Sequence, residues 1–147
     1  MRIPGARLTA LALFAIAMIG ASCGGGSSPT LDAYFPRVAT LASDFDDANG
    51  SNVTEASLRT FANGLDQLDA PSVAKQEQHD LTVATKNLAD SVHRASVGAI
   101  ASPPPDSRVF VRDWQAACHR LQDVALARKM DVDLRCATAL RAIDNRG

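Results

Sequence analysis

Three cysteines (Cys23, Cys118, Cys136) and three histidines (His79, His93, His119) are the residues of this chain best equipped for chemistry. A metal site needs such ligands converging on one point. Glu77, His79 and Asp80 are close in sequence, but residues two apart on a helix point in different directions. Asp90-Ser91-Val92-His93 has the carboxylate-to-histidine spacing of carboxylate-bridged bundle sites, which need a second such pair and two further carboxylates. Only one pair is visible. On one helix His79 and His93 would stand ~21 Å apart, too far to share an ion. The plainer reading is a hydrogen-bonded histidine at a helix seam, or one facing solvent. His119 follows Cys118, yet no Cys-x-x-Cys-His haem signature occurs. No Gly-x-Ser-x-Gly elbow is present, and Gly24 to Gly26 lacks the strand and lysine of a phosphate loop. No catalytic residue, metal site or cofactor is assigned, and no enzyme is expected.

Cysteine arithmetic says more. Cys118 and Cys136 are separated by 17 residues with no Cys-x-x-Cys between them, so a metal or redox pair is the weaker alternative. In an exported chain such a pair is expected to be a disulfide. Closing so short a loop stabilises by roughly 3 kcal/mol.

Export is what the first 29 residues suggest. Met1 to Arg7 is short and basic, Leu8 to Ile19 is apolar apart from Thr9, and Gly20-Ala21-Ser22 is small. These are the three parts of a secretory signal. The apolar run to Ala21 is about 14 residues, short of the ~20 that span a membrane as a helix. Ile19-Gly-Ala-Ser-Cys23 resembles the lipobox of bacterial lipoproteins, with Gly20 where leucine is commoner. The resemblance implies a diacylglyceryl group on Cys23 and cleavage before it. The alternative is an ordinary secretory signal. Residues 1–22 are thus read as the signal peptide, 23–29 as a Gly/Ser tether and 30–147 as the folded domain.

Removing residues 1–22 leaves 125, enough for one domain with a real core. Arg2 and Arg7 leave with the signal, so 13 basic side chains face 16 acidic ones. That balance argues against nucleic acid, which calls for a basic face.

The domain reads as helical throughout. Leu31, Tyr34, Phe35, Val38, Leu41, Ala42 and Phe45 share one face of a helix over about 31–48, with Thr30 as N-cap. Pro36 inside it predicts a kink or a loose first turn. Asn49-Gly50-Ser51 stops it; this and Asn52-Val53-Thr54 fit the glycosylation pattern but read as turn and capping chemistry. Asn52 to Glu55 has the form of a capping box. A second helix is expected over about 54–68, with Val53, Leu58, Phe61, Leu65 and Leu68 inward. Pro71 suits the first turn of a third, long helix from Val73 to about Ala101, with Leu81, Ala84, Leu88, Val92, Ala95 and Ala99 on its buried face. Pro103 to Pro105 ends it. Asp106 caps a fourth helix buried through Phe110, Trp114, Ala117, Leu121, Val124 and Ala125. Residues 129–136 are expected to fold back so that Cys136 reaches Cys118, with one or two turns over 137–143. The fold class is all-α, an antiparallel bundle of about four helices.

Leu31-Asp-Ala-Tyr-Phe35, Leu68-Asp-Ala-Pro71, Ala117-Cys-His-Arg-Leu-Gln122 and Val132-Asp-Leu-Arg-Cys136 together resemble a loose group of small exported bacterial lipoproteins of unassigned function. The resemblance implies a disulfide-closed helical envelope domain and supplies no activity. The expected function is a structural, accessory or protein-partner-binding module held by lipid at the cell envelope. The alternative is a binding protein for a small apolar ligand or lipid, lined by Phe35, Phe45, Phe61, Phe110 and Trp114.

Overall fold

The computed structural model describes residues 29–50, 53–97 and 107–138. Four helices follow in order: α1 (Leu31–Asn49), α2 (Glu55–Asp66), α3 (Lys75–Ser96) and α4 (Ser107–Ala127). No strand occurs among the described residues. Sequential neighbours pack together, and their side-chain pairings run in opposite directions. Along α1 and α2, Phe45 stacks on Phe61 and Asn49 meets Ser57. From α2 to α3, Arg59 reaches Asp90 and Lys86 reaches Asp66. From α3 to α4, Thr85 meets Trp114 and Asp80 meets Arg120. The bundle is therefore antiparallel throughout.

Local chemistry sets the helix limits. α1 runs unbroken through Pro36, and its N-cap Thr30 makes no side-chain capping bond. It ends at Gly50, whose φ of 44° lies in the left-handed region that glycine enters without a Cβ penalty. Asn49, 6% exposed, donates through Nδ2 to the Phe45 carbonyl and accepts from the Ser57 hydroxyl at 2.6 Å. Its amide is thus spent on the corner. The capping box forms between Thr54 and Ser57, two residues later than Asn52 and Glu55 would place it. That shift frees the Glu55 carboxylate to pair elsewhere, and Asn52 lies outside the described residues.

α3 differs most from expectation. It begins at Lys75, because Pro71 to Ala74 forms a separate turn closed by Ala74 N–H donating to the Pro71 carbonyl at 2.8 Å. Its helix stops at Ser96; residues 98–101 lie outside the described part. As the middle helix it is buried against both α2 and α4, so one apolar stripe is not enough. Gln78, Thr82, Thr85 and Ser91 are buried beside Leu81 and Leu88, while Ala95 is exposed. Thr82 and Thr85 hydroxyls donate to the carbonyls four residues back, which lets them enter the core. Gln78 Nε2 donates to the carbonyls of Leu65, in the last turn of α2, and Leu68, just beyond it, where the regular helical bonds run out.

The core is one cluster, centred on Phe45, Phe61 and Trp114. Phe45 and Phe61 stack with ring centroids 5.0 Å apart, and Trp114 stands 6.1 Å from the first and 6.4 Å from the second. Trp114 Nε1–H donates to Thr85 Oγ1 at 3.0 Å, so the indole enters the core with its donor satisfied. No described helix is long and apolar enough to cross a membrane.

Candidate functional site

Cys118 and Cys136 are bonded, with S–S 2.01 Å and Cα atoms 5.5 Å apart. The disulfide holds a strap, residues 130–138, irregular up to Ala137, that folds back along α4. Gln122 grips its middle on two sides: Nε2 donates to the Val132 carbonyl, and Oε1 accepts from Leu134 N–H at 2.8 Å. Leu134 is 2% exposed and fills the core. Beyond it the strap crosses to α1. Arg135 donates to Asp46 at 2.7 Å and the Thr138 hydroxyl donates to the other Asp46 oxygen at 2.8 Å. The strap therefore bridges the first helix and the last.

Two non-glycine residues of this region, Lys129 and Arg135, have φ of 57° and 51°. Asp133 eases the second by accepting from Arg135 N–H at 2.8 Å, and the left-handed turn directs Cys136 inward and the Arg135 side chain outward. Thr138 N–H donates to the Arg135 carbonyl at 3.0 Å. Residues 139–143 and the Asp106 cap lie outside the described residues, as do Cys23, the signal segment 1–22 and the tether up to Ser28.

The histidines are not brought together. His93, on α3, meets Glu55 at the start of α2, Nδ1 to Oε2 2.7 Å. A carboxylate can only accept, so His93 is the donor. Glu55 also accepts from Arg59 at 2.8 Å, and Arg59 donates to Asp90. Asp90 and His93 thus face a cationic and an anionic partner on α2 instead of sharing an ion. His79 lines a groove of about 280 Å³ between α3 and α4, floored by Ala84, Phe110 and Ala117. His119 lines a separate cleft of about 350 Å³ beside the strap, with Asp46, Asp133 and Arg135. Among the described residues no group of three or more His, Cys, Asp or Glu could hold a metal ion.

The Arg59 hydrogen bond, then the His93 one, hold the Glu55 carboxyl below its ordinary range. A depressed carboxylate contributes above its unfolded pKa, and the contribution is lost as pH falls through the folded value. Exposure keeps this contribution small. Arg59→Gln is expected to move the Glu55 titration upward, toward an ordinary glutamate, as followed by carboxyl NMR. An unmoved midpoint would mean that Arg59 does not set it. Burial, then the nearby Glu77 carboxylate, holds the Tyr34 phenol well above its usual range, so Tyr34 stays neutral.

Sequence reasoning missed the residues that fasten the strap. Asp46 and Arg135 are 89 positions apart, and no local pattern links them. No protein-family model, curated protein or solved structure matches the chain. What the described residues define is a class of architecture: an all-α antiparallel bundle closed by one disulfide.

Proposed function

We propose that this protein is an exported envelope lipoprotein, held at a membrane by acyl chains on Cys23, whose bundle serves as a structural or partner-binding module. The observation that carries this reading is the order of Met1 to Pro29: basic, apolar, small, cysteine, then Gly/Ser. The Cys118–Cys136 bond supports it, because such bonds persist in oxidising compartments outside the cytosol. Two or more acyl chains, at ~0.8 kcal/mol per buried methylene, make a stable anchor where one does not. The tether reaches at most ~20–25 Å, so the bundle works close to the bilayer.

A partner surface is favoured over an interior ligand cavity by the aromatic core. Phe35, Phe45, Phe61 and Trp114 are all buried, and the last three pack on one another. Cys23→Ala is expected to leave the chain unacylated and uncut, so that its intact mass includes residues 1–22. A product that is still acylated, or still cut before residue 23, would contradict the anchor.

A further inference from the structure

The outer seam between α1 and α2 is left open as a groove. Its two stretches, about 180 and 300 Å³, share Leu41. The depth has a local cause. Gly64 has no side chain, and a Cβ there would stand 2.7 Å from Leu41 Cδ2, so Leu41 lies directly over the α2 backbone. Phe45, Phe61 and Leu68 line the floor; Thr40, Ala48, Ser57 and Thr60 keep the rims low. From Arg37 to Ala48 the groove runs ~16 Å.

Among the described residues only two charged ones line it, Arg37 and Asp44. Both are exposed and both belong to α1. They are opposite in sign and two helical turns apart, ~10.5 Å, with Leu41 between them. The α2 wall is uncharged, because Glu55, Arg59 and Asp66 turn toward α3. A surface bearing one positive and one negative group about a central apolar residue is its own complement under a two-fold rotation. Each Arg37 then meets the Asp44 of the other copy, and the two Leu41 side chains meet near the axis. That is the self-complementary geometry of a two-fold dimer.

We propose that this groove is the interface of a homodimer, with a second copy of the chain, α1 antiparallel to α1, as its occupant. This names the partner in the partner-binding reading above. The charge pair sets the register and excludes the parallel arrangement, which would place like charges together. Antiparallel α1 helices put the two tethers at opposite ends, ~28 Å apart along the helix, a spacing that allows both to reach one membrane plane.

Sedimentation of the purified full chain in detergent tests it. A dimer is expected in the micromolar range. Arg37→Glu or Asp44→Arg alone should weaken it ~10-fold or more, since each reversal creates two like-charge contacts. The double reversal should restore it. Both positions are exposed, so circular dichroism should show all three variants folded. A monomer at about 100 μM, or a dimer indifferent to the single reversals, would overturn the proposal. So would native mass showing a small molecule or a different protein seated there. None of those results touches the anchor, which is read from the lipid on Cys23.

Discussion

Trp114→Ala is expected to lower the unfolding free energy by about 3–5 kcal/mol, the usual cost of removing a buried large aromatic. Trp114 is 1% exposed and touches both Phe45 of α1 and Phe61 of α2. Its removal therefore hollows the point where α1, α2 and α4 meet. The loss is separable into packing and hydrogen bonding. Thr85 already gives its hydroxyl hydrogen to the Leu81 carbonyl at 2.7 Å. Trp114→Phe leaves that bond intact and removes only the indole donor and part of the ring, for about 1–2 kcal/mol. Urea titrations followed by circular dichroism measure both, since the chain has a single tryptophan and loses its fluorescent probe in either variant. A loss under ~1 kcal/mol for Trp114→Ala would contradict the packed aromatic core.

Removing both cysteines, Cys118→Ser with Cys136→Ser, is expected to cost roughly 3 kcal/mol by releasing the loop constraint on the unfolded chain. The effect should also have a local part. The disulfide, Gln122 and Asp46 fasten the strap at different points. Without the first, the left-handed turn at Arg135 loses the covalent tie beside it, and the Arg135 and Thr138 bonds to Asp46 must hold that end alone. The Leu134 amide, bonded to Gln122, should then exchange hydrogen faster than the amides of α3, while the helical signal persists. Unchanged stability under oxidising conditions would sink the structural role of the bond. Uniform loss of protection would mean that the strap and bundle unfold as one unit.

How legible this was depends on the range over which each interaction acts. The stripes of α1, α2 and α4 are periodic and apolar, and their residues are buried or partly buried as the spacing predicts. The disulfide was legible because only one pairing remained once Cys23 was set aside. α3 departs from its apolar stripe at Ala95 because the helix is exposed on every side from His93 to Val97, and over the packed part because a central helix buries two faces. Most of its buried residues are polar, with Thr82 and Thr85 satisfied by their own backbone and the Gln78 amide by the end of α2. Polarity alone gives no sign of that. Asp46 binds Arg135 and Thr138 across 89 and 92 positions, a pairing created by the fold. The Asp90–His93 spacing was real, but Arg59 and Glu55 on the facing helix take both groups.

Intact mass of the protein extracted from its own membranes tests the central claim most directly. The account predicts the mass of residues 23–147 plus acyl groups, less two hydrogens for the Cys118–Cys136 bond. A mass that retains residues 1–22, or begins at Cys23 without lipid, would contradict the anchor and with it the place assigned to this bundle.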